Sequence, residues 1–205
     1  MPLSLIPYPT DVFLKEGSYT FSPETTIETT HFLARPEWNA CLRFRDRCQS
    51  ASGYSIQIWR RREISPGGKD RIVLAVSDDH NAKESHPEGY RLSVSPAEVR
   101  IEGNAEAGLF YGIQTLVQLV QTHGDRLPVL EIEDAPAFKL RGFYHDLSRG
   151  KVPTLETLKW LAEQMAAMKM NHLQLYIEHT FAFEFDPDIS RGCSPLQPEE
   201  ILELD

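Results

Sequence analysis

Residues 138–183 read FKLRGFYHDLSRGKVPTLETLKWLAEQMAAMKMNHLQLYIEHTFAF, and this stretch decides the fold. Leu140 to Leu147 is a short apolar run rich in β-formers. From Thr154 to Lys169 apolar residues recur at helical spacing: Leu155, Leu158, Leu161, Ala162, Met165 and Met168. His172 to Ile177 is apolar again. Strand, helix and strand within about 40 residues predict a βαβ unit with a parallel pair and a right-handed crossover. Thr154 follows Pro153 and can cap the helix, because its hydroxyl accepts a free first-turn N–H. Glu156 suits the positive end of the helix dipole and Lys169 the negative end. Asn171 is expected to take the left-handed turn into the second strand.

Upstream, short strands alternate with two helical segments. Val12–Leu14 and Tyr19–Phe21 are β-prone pieces in a Pro- and Thr-rich entry. Pro36–Ser50 has an amphipathic pattern. Tyr54–Trp59 alternates, with Tyr54, Ile56 and Ile58 on one face. Arg60, Arg61 and Arg62 form a basic run expected at a solvated strand end. Arg71–Val76 is β-branched. Ser77–Pro87 is a polar stretch expected as loop, and its His80 and His86 are expected to be exposed. Gly89–Ser95 and Glu98–Glu102 form a hairpin around Pro96 and Ala97. Ala105–Gln121 is a helix with Leu109, Ile113, Leu116 and Val120 on one stripe. Gly108 and Gly112 each cost that helix about 1 kcal/mol relative to Ala, so close packing on a sheet is the expected reason for them. Val129–Glu133 is a further strand.

Composition narrows the function classes. The chain has 205 residues, enough for one or two domains. Acidic side chains outnumber basic ones 30 to 21, for a net charge of −9, which argues against a nucleic-acid surface. No apolar run approaches membrane-spanning length, and MPLSLIPYPTDVFL lacks the basic start and apolar core of a signal peptide, so a cytoplasmic protein is expected. Cys41, Cys48 and Cys193 show no metal-ligand spacing and are expected as free thiols. No cofactor is implied.

The segments LRGFYHDLSR and KMNHLQLYIEH, flanking a capped helix, resemble the first βαβ unit of the catalytic barrel in family 20 glycoside hydrolases, the β-N-acetylhexosaminidases. Two upstream stretches, IPYPTDVFLKEGSYTFSPETTI and EGYRLSVSPAEVRIEGNAEAGLFYGIQTLVQLV, resemble the family's non-catalytic N-terminal domain, and DAPAFK resembles its link into the barrel. The resemblance implies an α/β fold in two parts. Residues 1–135 would be an α+β domain, a mainly antiparallel sheet with two helices on one face. Residues 136–205 would begin a TIM-type (β/α)8 barrel.

The same resemblance implies retaining hydrolysis of terminal N-acetyl-hexosamine. The substrate's own acetamido oxygen attacks the anomeric carbon, an Asp orients that group, and an adjacent Glu protonates the leaving oxygen. This chain contains no Asp-Glu dipeptide. It ends about 65 residues into a barrel that needs about 250. The expectation is an N-terminal part of a hydrolase, without catalytic residues of its own and inactive alone. Four residues are candidates for binding the carbohydrate: Arg141, Asp146, Glu178 and His179. Arg141 matches a family arginine that holds sugar hydroxyls with its guanidinium fork, or else forms a structural salt bridge. Asp146 binds substrate or orients Arg141 or Arg149, and Arg149 fits a structural ion pair. His145 alternates with Asp146 and should point toward the helices. Glu178 and His179 stand where many family members carry an Asp pair, at the C-terminal end of a barrel strand. A non-catalytic interaction module, or part of a family 84 or 67 glycosidase, is the alternative. The oligomeric state is not readable.

Overall fold

The computed structural model describes residues 3–30, 33–65 and 67–205. The chain divides into two compact units, Met1–Ala137 and Phe138–Asp205.

The first unit is a seven-stranded sheet in the order β1-β7-β5-β6-β4-β2-β3. Its strands are β1 (Asp11–Thr20), β2 (Thr26–Thr29), β3 (Gln57–Arg60), β4 (Arg71–Val76), β5 (Tyr90–Val94), β6 (Glu98–Gly103) and β7 (Arg126–Asp134). The two β-prone pieces of the entry prove to be one strand, β1, interrupted by a register shift between Leu14 and Ser18. The sheet is mixed, which corrects the expected mainly antiparallel one. β1·β7, β7·β5 and β5·β6 are antiparallel, while β6·β4, β4·β2 and β2·β3 are parallel. The difference arises at β2, the strand Thr-Ile-Glu-Thr that pairs on both edges. Its four residues carry one aliphatic side chain, so the apolar pattern is weak. Yet Ile27, Glu28 and Thr29 are buried, as a central parallel strand requires.

Helix α1 (Arg35–Ser52) carries the chain from β2 to β3, and α3 (Glu106–His123) from β6 to β7. Pro36 starts α1, and Gly53 ends it with a left-handed φ of 75°. The two helices pack together, and their apolar stripes join one core. Ala40, Cys41, Phe44 and Cys48 of α1 and Leu109, Ile113, Leu116 and Leu119 of α3 meet Ile27, Ile72, Leu92, Ile101 and Ile132 of the sheet. Cys41, Cys48 and Cys193 are free. Burial pushes the Cys41 thiol up to about 12, and the Cys48 thiol also upward, so neither offers a thiolate at neutral pH. A short helix, α2 (His80–Ser85), stands where a loop is expected from Ser77 to Pro87.

The other face of the sheet carries charge. Arg71 Nη2 lies 2.5 Å from Glu98, Arg71 Nη1 lies 3.6 Å from Glu28, and Arg61 pairs with Glu28 at 2.8 Å. Arg61 also stacks its guanidinium 5.4 Å from the Trp59 ring. The basic run is exposed at the end of β3, as expected, with Arg61 also tied to Glu28 of the sheet.

The second unit is the expected parallel strand–helix–strand. It comprises β8 (Gly142–Asp146), α4 (Leu155–Ala167) and β9 (His172–Tyr176), followed by α5 (Pro198–Leu204). Thr154 caps α4, accepting from Thr157 N at 3.3 Å. The left-handed residue after α4 is Lys169, with φ 58°, and not Asn171. Asn171 acts instead as a clasp on the start of β8. Its Oδ1 accepts from Arg141 N at 2.9 Å, its Nδ2 donates to Lys139 O at 2.8 Å, and its backbone N–H donates to Arg141 O at 2.9 Å. Helix α5 is unexpected from the sequence. It is set by a capping box between Gln197 and Glu200. Leu147, Leu158 and Leu196 are the fully buried centre of this unit, with Leu175, Ile177 and Phe181 against them.

The close-packing reading of the two helix glycines has a geometric basis. A Cβ on Gly108 would lie 2.0 Å from the carbonyl oxygen of Gly89, while one on Gly112 would lie 2.4 Å from the Ile101 Cγ2 methyl. Backbone cannot yield as a side chain can. Gly108→Ala should therefore destabilise by about 1–3 kcal/mol despite the better helix propensity, and Gly112→Ala by less. Urea midpoints of the two variants check the order; equal or raised midpoints contradict it. The smaller core of the second unit also predicts faster amide hydrogen exchange in β8 and β9 than in β5, β6 and β7, measurable on the intact chain.

Candidate functional site

Parallel strands in register end at the same level. Asp146 closes β8 opposite Tyr176, which closes β9. The polar ends of both strands, and the loops that leave them, therefore meet on one side of the pair. Alternation puts Tyr144 and Asp146 of β8 on the same face as Gln174, Tyr176 and Glu178, and puts Phe143 and His145 with Leu173 and Leu175 on the other. His145 is half-buried and stacks on Phe143, with ring centroids 5.9 Å apart.

Arg149 is the hub. Its Nη1 donates to Asp146 Oδ2 at 2.9 Å and its Nη2 to Glu178 Oε1 at 2.9 Å. Its guanidinium also lies 5.4 Å from the Tyr176 ring centroid. Each carboxylate has further support. Asp146 Oδ1 accepts the backbone N–H groups of Ser148 at 2.8 Å and Arg149 at 3.2 Å, a local turn that folds the loop back onto its own strand. Glu178 Oε1 accepts the Tyr176 hydroxyl at 2.5 Å, and the Glu178 N–H donates to Ser148 Oγ at 2.7 Å. Tyr144 leans on Tyr176 with ring centroids 5.9 Å apart.

The electrostatics follow from these bonds. The Ser148 N–H, and then the Arg149 side chain, hold the Asp146 carboxyl below its usual value. The Tyr176 hydroxyl, and then Arg149, do the same for Glu178. The hydrogen bond to Glu178 raises the Tyr176 phenol, and Asp146 first among its partners keeps Arg149 charged. Yet the Arg149 side chain is 64% exposed, Asp146 33% and Glu178 45%. Ion pairs this exposed add little to stability. What the bonds do is fix the direction of a guanidinium that still faces water.

The four candidate residues thus separate. Asp146 and Glu178 come together through Arg149. Arg141 precedes β8, about 16 Å from Asp146 at ~3.3 Å per residue. Its Nε donates to Lys169 O and its Nη1 to Phe138 O, both at 2.7 Å. His179 is half-buried and lines a cavity of about 340 Å³ between the loops that follow β8 and β9. Arg149 and Tyr176 are the members that sequence reasoning undervalued. The available signal was the register: Arg149 follows Asp146 by three, and Tyr176 is its strand partner. Among the described residues no three His, Cys, Asp or Glu side chains group as metal ligands. Among the described residues no helix is long and apolar enough to cross a membrane.

The chain was compared with known proteins. Residues 3–135 match the family model for glycosyl hydrolase family 20, domain 2. The chain is similar to the β-hexosaminidase of Vibrio furnissii, 42% identical over 82% of this chain and 25% of that protein. It is also similar to the β-hexosaminidase of Porphyromonas gingivalis, 28% identical over 90% of this chain and 24% of that protein. It therefore spans about a quarter of the length of these two relatives. Among solved structures, the chitobiase of Flavobacterium johnsoniae shares the fold with a TM-score of 0.80 at 23% identity, over 98% of this chain and 32% of that one. The N-acetyl-β-hexosaminidase of Streptomyces plicatus, solved with Thio-NAglucal, matches with a TM-score of 0.76 at 25% identity, over 98% of this chain and 42% of that one. This chain belongs to glycosyl hydrolase family 20.

Proposed function

We propose that this chain is the N-terminal part of a β-N-acetylhexosaminidase. In this reading residues 1–135 are its non-catalytic domain, and residues 136–205 open its catalytic (β/α)8 barrel. The observation that supports it is the family match joined to a parallel strand–helix–strand that gathers its polar side chains at the C-terminal strand ends, where barrel enzymes keep their sites. The family match favours this over an interaction module or a family 84 or 67 glycosidase.

The Arg149 cluster suits sugar binding. A guanidinium fork donates to two neighbouring hydroxyls, and the Asp146 and Glu178 oxygens accept from others. It does not suit proton transfer. A general acid working near neutrality needs a raised carboxyl, and both of these are lowered. The cluster therefore holds the terminal N-acetyl-hexosamine, and proton donation falls to an Asp-Glu pair outside residues 1–205, with the acetamido group as the internal nucleophile. Arg141, at the opposite strand end with two donors on backbone carbonyls, serves as a clamp on the β8 entry beside Asn171. His179 contacts substrate from the edge of its cavity.

The longer protein should release the aryl group from an aryl N-acetyl-β-glucosaminide, and absence of turnover in folded protein refutes the reading. Within it, Arg149→Ala should lower kcat/KM about 10- to 150-fold without changing the melting temperature. Arg141→Ala should do the reverse, with a lower melting temperature and a near-normal kcat/KM in the folded fraction. If Arg141→Ala removes activity at unchanged stability, the two arginines exchange roles.

The charge state gives a second test on this chain alone. Both carboxyl pKa values are lower folded than unfolded, so their bonds to Arg149 are complete above the ordinary carboxyl values of 3.8 and 4.5 and are lost as pH falls through the lowered ones. Carbon-detected titration should place both midpoints below those values, and Arg149→Met should move both back up. Midpoints at the ordinary values in the unsubstituted chain would show that the cluster does not form.

A further inference from the structure

No carboxylate lines the cavity beside His179, although the chain carries a net charge of −9. Its polar lining is Ser148, Lys151, His179, Thr180 and Ser194, over an apolar floor of Leu147 and Val152. The cavity at the end of the sheet in the first unit, about 560 Å³, shows the contrast: Asp11, Asp79, Glu102, Glu133 and Asp134 all line that one, against Arg91. A space with an ammonium, an imidazole and three hydroxyls, and no fixed negative charge, accepts an acceptor-rich or anionic group.

A second observation points to an occupant. Thr180 is 2% exposed, and its Oγ1 has no hydrogen-bond partner among the described residues. Buried hydroxyls are rarely left so, because the lost bond to water is not replaced. The backbone of Thr180 is held, since its carbonyl accepts from Leu196 N at 2.9 Å. Thr180 is itself one of the residues that line the cavity. The cavity also shares a residue with the Arg149 cluster. Ser148 lines it while its Oγ accepts the Glu178 N–H, and His179 follows Glu178 directly.

We propose that this cavity is an accessory subsite for an acidic substituent, a sulfate or carboxylate, carried by the glycan whose terminal sugar the Arg149 cluster holds. The assignment rests on the sugar-binding reading of that cluster. Lys151 supplies the charge, Thr180, Ser148 and Ser194 donate hydroxyl hydrogens, and the subsite selects acidic over neutral glycans.

The test uses the 205-residue chain, amide-resolved NMR and three probes: inorganic sulfate, N-acetylglucosamine, and a sulfate ester of N-acetylglucosamine. The ester should shift the amides of Gly150, Lys151, Thr180 and Ser194 saturably and bind about tenfold tighter than either other probe. Lys151→Met, at an exposed position, should erase that advantage. Thr180→Val, which keeps the shape and removes the unpartnered hydroxyl, should reduce it without lowering the melting temperature. An ester that binds no better than N-acetylglucosamine, or an advantage that survives Lys151→Met, overturns the proposal. Saturable free sulfate with no gain for the ester assigns the cavity to small inorganic anions and overturns it as well. These shifts are read apart from turnover of the longer protein, so failure of the hydrolase reading and failure of the subsite are distinguishable.

Discussion

The parallel half of the sheet depends on Arg71. It stands on β4 opposite Glu98 of β6, and its guanidinium reaches Glu28 of β2 on the other side. Apolar alternation fixes which face of a strand is buried but cannot distinguish a register from one slipped by two residues. Charge can. A two-residue slip of β4 along β6 would set Arg71 against Arg100, a like-charge pair, in place of Glu98. Ile72 and Leu74 of the same strand point to the opposite face and join the core beneath α1 and α3. Ser65 O also accepts from Arg71 Nη2 at 2.7 Å.

In the second unit the constraint is smaller and lies in the backbone. Asn171 and Arg141 hold the start of β8 through bonds to main-chain groups. Once these fix the lower ends of β8 and β9, the upper ends arrive together. Asp146, Tyr176 and Glu178 then have no choice but to be neighbours. The site is thus a consequence of equal strand length in a parallel pair. The loops contribute its direction, through Ser148 bonding across from one loop to Glu178 of the other.

The elements with strong periodicity were legible: α3 and its stripe, α4 with its Thr154 cap, and the β8–α4–β9 order. So was the reason for Gly108, since a glycine that costs a helix stability implies a close neighbour. Strand β2 was not legible, because its burial comes from pairing on both edges, which no local pattern encodes. The parallel half of the sheet was lost with it. The left-handed turn fell on Lys169 because Asn171 is more useful as a side-chain clasp, a competition between two local roles that composition does not resolve. Helix α5 was missed because Gln197 is an unusual first member of a capping box. In the site, Asp146 and Glu178 were legible as residues at strand ends, while the part of Arg149 depends on a contact across 29 residues of sequence.

Arg71 and Arg149 show why burial, and not residue type, separates scaffold from site. Each is an arginine between two carboxylates. The Arg71 side chain is 9% exposed and its partner Glu28 10%, so the charges are withdrawn from water and each requires the other. Removing one member of such a set leaves an uncompensated buried charge, which is strongly destabilising. Such an arginine has no direction left in which to meet a ligand. Around Arg149 the same three groups stand in solvent, where attraction between them is screened and contributes little to folding. Their hydrogen bonds nevertheless fix the guanidinium, so under the proposed role a ligand would meet a donor already oriented and lose less entropy on binding. An exposed, well-bonded and energetically inexpensive cluster is therefore the arrangement that can be given to recognition without weakening the fold, and in this chain it lies at the strand ends of the second unit.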